Sequence, residues 1–204
     1  MTDDARPTWS RDLLVDTAVE LLRDGGPASV TVDAVTRAAQ VSRATLYRQF
    51  PSGSEVLAAA FGQVIPPSKP PPATGPVDER LVAVLTDLAA GVKEVPLIVT
   101  AMCWVSVERG GSRLEDCLFA DNADGTERRV LCQRLLDWCL SPLHQVFDTA
   151  GAAGELGVVD RKLAFALLVA PVLVGCGDRP RICAEVAVEA YLRASLIDLK
   201  GAPR

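Results

Sequence analysis

Three features of the amino-acid sequence predict an all-α protein. Apolar residues recur at helical spacing through most of the chain, and Ala, Leu, Val and Arg abound while the strand formers Tyr, Phe and Ile are scarce. The breaks between periodic stretches fall on Gly, Pro and Ser. The expected architecture has about nine helices, in a small three-helix N-terminal head joined to a larger C-terminal bundle.

At 204 residues the chain can bury one good core and still carry such a head. Hydrophobic residues at 49% and charged residues at 23% are an ordinary globular balance. A formal net charge of −5 argues against a general polyanion binder, so any nucleic-acid contact must come from a local basic patch. The stretch from Met1 to Trp9 is polar, with Asp3 and Asp4 and no apolar signal-peptide core. The longest uncharged apolar run, Leu163 to Cys176, is fourteen residues and contains Pro171, which is too short to span a bilayer. A cytoplasmic protein with no membrane association is expected. The six cysteines (Cys103, Cys117, Cys132, Cys139, Cys176 and Cys183) form no C-x-x-C pair and read as reduced, small apolar residues. His144 is the single histidine, so neither a metal site nor a cofactor is expected.

Ser10 is the expected cap of a first helix running to about Asp24, with Leu14, Ala18, Leu21 and Leu22 on one stripe. Gly25-Gly26-Pro27 ends it. A second helix follows Thr31 and buries Val32, Val35, Ala38 and Ala39. Only Gln40 and Val41 separate it from Ser42, which opens a short third helix ending near Phe50. After Pro51-Ser52-Gly53, Ser54 caps a fourth helix carrying Val56, Leu57, Ala60, Phe61 and Val64. Six prolines between 66 and 76 cannot be helical and mark a joint. The expected division is therefore 1–62 as head, 63–76 as proline-rich joint and 77–204 as body. Body helices are expected at about 77–94, 97–109, 126–150, 160–176 and 180–199, separated by Gly110-Gly111, 121–125, Gly151 to Gly157 and Gly177-Asp178.

Two helices joined by so short a turn form a helix-turn-helix, whose second helix can lie in the major groove. A helical wheel of about 100° per residue places Phe50 and Ser42 within about 40° of Leu46, on the inward face. Ala44 and Arg48 point outward, flanked by Thr45 and Tyr47, with Arg43 near the boundary at the tip. That outward set suits DNA. Arg43 and Arg48 reach guanine edges or phosphates, and Thr45 and Tyr47 offer hydroxyls. Ala44 lets the helix settle deep and can touch a thymine methyl. Backbone N–H groups beside Ser42 and Thr31 are candidates for phosphate. Between Ala34 and Ser54 there are three arginines and no acid, leaving net −8 for the remainder.

Residues Thr31 to Ser52, and above all the run Val41-Ser42-x-x-Thr45-Leu46-Tyr47-x-x-Phe50, closely resemble the DNA-binding segment of TetR-family regulators. The likeness covers about residues 10 to 62. It implies that Thr31, Ser42, Arg43, Ala44, Thr45, Tyr47 and Arg48 sit at or beside double-stranded DNA. Two departures stand out: Gln40 replaces the family's usual turn glycine, and Gly53-Ser54 stand where a lysine often opens the fourth helix. If the backbone at Gln40 is left-handed, the side chain costs about 1 kcal/mol against glycine.

The body carries no equally specific likeness, although the Leu163–Val174 run looks like the penultimate helix of such regulators. It is apolar almost all round and needs cover on several sides. The last helix, with Ile182, Val186, Ala190, Leu192, Ala194 and Leu196, and a second copy of the chain can provide it. A homodimer through the last two helices is expected, since a palindromic operator needs two heads roughly 34 Å apart. Candidates to line an apolar small-molecule effector pocket are Met102, Trp104, Phe119, Leu135, Trp138, Cys139 and Phe147, of which Leu135, Trp138 and Cys139, at helical spacing, also suit a plain core. No G-x-S-x-G, phosphate-loop or H-E-x-x-H motif is present, so an enzyme is not expected. The expected function is a transcriptional repressor released by an apolar ligand; the alternative is an interaction module of the same fold without operator binding.

Overall fold

The computed structural model describes residues 5–108, 126–149, 161–175 and 179–201. Among these the chain is all-α, with nine helices and no strand. The helices are α1 Ala5–Gly25, α2 Val32–Ala38, α3 Arg43–Gln49, α4 Gly53–Val64, α5 Val77–Glu94, α6 Leu97–Glu108, α7 Thr126–Phe147, α8 and α9 Pro180–Gly201. Helix α8 is three consecutive pieces: Arg161–Ala164, a π-helical Phe165–Val169, and Ala170–Gly175. The predicted breaks at Gly110-Gly111, 121–125, Gly151 to Gly157 and Gly177-Asp178 fall outside the described residues, as do Cys117 and Cys176.

Contacts divide the chain into two compact units. The first holds residues 5–66 together with 126–134; the second holds 67–108, 135–149, 161–175 and 179–201. Helix α7 thus supplies its first residues to the first unit and the rest to the second.

In the first unit, α1 packs against α2, α3 and α4. Leu14, Ala18 and Leu22 are buried from α1, and Val56, Leu57, Ala60, Phe61 and Val64 from α4, as their spacing predicts. Three expectations are corrected here. Helix α1 starts at Ala5, so Ser10 lies inside it and not at its start. Pro7 sits in the first turn, where its missing N–H would have had no helical partner. Ser52, not Ser54, caps α4, its hydroxyl accepting the Glu55 amide at 3.3 Å. In α2, Val35 is buried but Ala38 is exposed, and the apolar role falls to Thr36, whose hydroxyl donates to the Val32 carbonyl at 2.8 Å.

The start of α7 is held to the first unit by charge. Glu55 is 2% exposed, yet its carboxylate accepts the Glu127 amide at 2.7 Å and Arg128 Nε at 3.1 Å. Arg134 Nη1 donates to the Gly62 carbonyl at 2.6 Å, and Arg11 Nη2 pairs with Glu127 at 2.5 Å. A carboxylate is tolerated at such depth only because each oxygen has a donor.

In the second unit the principal pairing is α5 with α9, and α8 packs on both. Leu81, Leu85, Ile98, Met102, Leu135, Cys139, Leu143, Phe165, Leu168 and Tyr191 form its core. Gly91 is required by close approach: a Cβ there would lie 2.7 Å from Trp138 Cζ2. Residues 66–76 are non-helical, as six prolines dictate. They are tied to α5 by the buried Arg80, which donates to the Pro72 carbonyl at 2.8 Å and to Thr149 Oγ1 at 3.1 Å. Pro171 has no N–H and would crowd the carbonyl four residues back. The π turn just before it widens the helix, with the Ala170 amide donating to the Phe165 carbonyl five residues back.

Glu55→Ala should destabilise the first unit by about 3 kcal/mol, because it strands Arg128 and the Glu127 amide in a half-buried site. Glu55→Gln, which keeps an acceptor, should cost less. Urea unfolding of the two variants tests this; equal losses would show that the negative charge alone holds the segment and that a neutral acceptor contributes nothing.

Candidate nucleic-acid interface

The interface candidate is α2, its turn and α3. Helix α2 starts at Thr31, whose hydroxyl accepts the Ala34 amide at 3.1 Å. It ends in a tight cap. The Val41 amide reaches the Thr36 carbonyl at 3.0 Å and the Gln40 amide the Arg37 carbonyl at 3.3 Å. This pair of bonds is the Schellman closure, and it demands a left-handed residue at its centre. Gln40 fills that position with φ 55°, the one positive φ outside glycine among the described residues. The strain anticipated from the missing glycine is therefore present, at a cost of about 1 kcal/mol.

Two residues later Ser42 caps α3, its hydroxyl accepting the Thr45 amide at 3.1 Å and lying 3.0 Å from the Thr45 hydroxyl. Leu46 and Phe50 are buried, 0% and 1% exposed, and fix the rotation of α3 against α1 and α2. Arg11 of α1 lies over the Phe50 ring, 5.1 Å from its centroid. With those two inward, Arg43, Ala44, Tyr47 and Arg48 are exposed, and Thr45 is half-buried. The wheel's inward placement of Ser42 is corrected: it is exposed, because a cap residue has left the helical backbone, with φ −75° and ψ 155°.

Tyr47 is 52% exposed, a large aromatic standing in solvent. Arg37, Arg43 and Arg48 are exposed as well, and the chain's acids stand almost entirely outside residues 31–54 of the sequence. One does not. Asp33, in the first turn of α2, forms an ion pair with Arg43 across the turn, with 56% and 66% of the two side chains exposed. The sequence gives no sign of this pair, since no spacing rule joins residues ten apart on different helices.

Of the effector candidates, Met102, Leu135, Trp138, Cys139 and Phe147 are buried and Trp104 is half-buried, all in the second unit. Phe119 lies outside the described residues. Burial pushes the Cys139 thiol's pKa strongly upward, so this cysteine is held as the neutral thiol. A cavity of about 750 Å³ opens in the second unit on a different set, including Pro72, Asp78, Arg80, Thr86, Arg181 and Glu185. The sequence had no signal for it, since its walls come from the proline-rich segment, α5 and α9. No helix among the described residues is long and apolar enough to cross a membrane.

Fold and exposed helix together define a helix-turn-helix protein with a helical body. Residues 14–60 match the family described as bacterial regulatory proteins, tetR family. An uncharacterized HTH-type transcriptional regulator of Mycobacterium tuberculosis is 39% identical over 82 residues, covering 37% of this chain and 41% of that protein. The HTH-type transcriptional repressor KstR of Rhodococcus jostii is 32% identical over 96 residues, 45% of either chain. The chain thus spans under half the length of these relatives. In fold, a tetR-family transcriptional regulator from Streptomyces coelicolor matches 94% of this chain and 90% of its own, with a TM-score of 0.50 at 18% identity. Over residues 14–60 the chain is thus similar to the N-terminal segment of the tetR family.

Gln40→Gly should stabilise the first unit by about 1 kcal/mol, because glycine takes the left-handed position without a Cβ clash. Chemical denaturation measures this; a stability loss would mean that the Gln40 side chain makes a contribution larger than its strain.

Proposed function

We propose that the chain is a sequence-specific DNA-binding transcriptional repressor that works as a homodimer in the cytoplasm. The observation that carries this reading is the outward face of α3. Arg43, Ala44, Tyr47 and Arg48 are exposed around a helix whose rotation Leu46 and Phe50 hold fixed. In a major groove, Arg48 would read a guanine edge bidentately and Tyr47 would touch phosphate or base. Thr31, Ser42 and Thr45 flank them, and because the Ser42 and Thr45 hydroxyls already engage one another, their role would be to support the tip of the helix. The head would be residues 1–62, with 63–76 as joint and 77–204 as the dimerising, effector-binding body.

Dimerisation is favoured by exposed apolar residues on the last two helices. Val174 at the end of α8 is 90% exposed, and Ile182 and Val186, one turn apart on α9, are 52% and 61% exposed. Scattered single apolar residues need no explanation, but three on adjoining elements do. A second copy meeting this face would bring two heads to one palindromic site. A small apolar effector would act by binding the DNA-free arrangement more tightly than the DNA-bound one. Met102, Trp104, Phe119, Leu135, Trp138, Cys139 and Phe147 remain its proposed lining.

Gel-shift titration against duplexes flanking the gene tests the reading. Arg48→Ala should weaken specific binding roughly 10- to 100-fold, from the loss of one bidentate base contact. Tyr47→Ala should weaken it too, and Val186→Glu should yield monomers in sedimentation and bind more weakly still. No retention by the wild-type protein at low salt would leave an interaction module as the better reading. For the effector, compounds that raise the melting temperature should also lower operator affinity. If every stabilising compound left that affinity unchanged, release by a ligand would be excluded.

A further inference from the structure

We infer that Asp33 is a positioning residue for Arg43, aiming its guanidinium at base edges and away from phosphates, so that one acid sets how sharply the head discriminates sequence. The inference rests on the DNA-binding reading above. Its starting point is an asymmetry between two arginines on one exposed surface. Arg48 has no carboxylate partner among the described residues, whereas Arg43 is paired with Asp33 from the preceding helix. Asp33 is the only acid from Thr31 to Ser54, and it sits against the arginine at the tip of α3.

Stability does not account for this pair. Both side chains are more than half exposed, and such ion pairs contribute little in water. At a polyanion, however, the placement has consequences. A guanidinium carries its N–H donors in a rigid fork, so engaging Nη2 with Asp33 fixes the direction of the remaining donors. A neutral guanine edge, offering O6 and N7, can accept those donors while Asp33 stays in place. A phosphate cannot do so without bringing its own charge beside the carboxylate. The acid therefore penalises backbone contact by Arg43 and spares base contact, which is how a site gains specificity through repulsion as well as attraction. Phosphate contacts carry no sequence information, so suppressing one lowers general affinity more than specific affinity.

The test compares wild type, Asp33→Asn, Arg43→Ala and the double variant by fluorescence anisotropy over a salt series. The probes are a duplex that the wild-type protein enriches from a random-sequence pool, and an unselected duplex of the same length. Asp33→Asn should raise affinity for the unselected duplex roughly three- to tenfold, and steepen its log–log salt slope by about 0.9, the signature of one gained phosphate contact. The ratio of selected to unselected affinity should fall by at least the same factor. In the Arg43→Ala background the same substitution should leave slope and ratio unchanged, and Asp33→Glu, which keeps the charge, should retain part of the ratio. Thermal melts of each variant establish that folding is intact. If Asp33→Asn leaves the ratio unaltered, or alters it equally without Arg43, the inference is overturned while the regulator reading stands. If wild type enriches no site at all, both fall.

Discussion

The burial of Leu46 and Phe50 is the constraint from which the interface follows. Helix α3 is only Arg43–Gln49, too short to hold its own shape in water, so its existence and its rotation depend on what those two side chains are sealed against. Once both face α1 and α2, the intervening positions have no freedom: Ala44, Tyr47 and Arg48 must face out. The short connection enforces this from the other side. A Schellman closure at Thr36–Val41 and a serine cap at Ser42 leave no slack residue between the helices. The chain accepts a left-handed Gln40 to keep that geometry. A strained turn retained beside an exposed aromatic and several arginines is what a surface built for recognition looks like in energetic terms.

Charge is placed with equal economy. The chain is acidic overall, so a cationic surface on the head is a local arrangement against the global field. Several acids within the first unit have defined partners. Glu55 and Glu127 turn theirs inward, to Arg128, a backbone amide and Arg11. Among the described residues, Asp33 is the acid that meets an arginine of the exposed helix. The same residue type thus does two different things according to solvent: buried, it holds a chain segment; exposed, it contributes little to stability and affects only what approaches.

The head was legible because its signals are local. Periodicity, serine caps and a two-residue turn operate over a few positions, and they placed α2, α3 and α4 within a residue or two. The inward pair Leu46 and Phe50 and the outward Ala44, Tyr47 and Arg48 followed from the same periodicity. What was misread failed for reasons equally local. Ser10 looks like a cap until Pro7 allows the helix to begin earlier, and Ser42 obeys a cap's backbone and not the wheel. Contacts between distant residues left no trace in spacing. Glu55 with Arg128, Asp33 with Arg43, and Arg80 with the Pro72 carbonyl are each products of tertiary packing. In the body, Pro171 signalled an interruption, but only the π turn before it says how the helix absorbs one.

The charge of the head and the exposed apolar residues of the body bear on one quantity, affinity for DNA. A head that offers Arg37, Arg43 and Arg48, keeps one of them on an acid, and has Gly53 and Ser54 in place of a lysine releases few counterions on binding. Alone it would bind DNA weakly. Joining two such heads makes the second contact intramolecular, at an effective concentration set by the spacing, and multiplies discrimination without adding a residue to either. On this reading the exposed Val174, Ile182 and Val186 are as necessary to DNA recognition as Arg48. On the proposed reading, a weak, selective head is workable only in a molecule that pairs, and the pairing of weak heads would leave their release within reach of a modest change in the body.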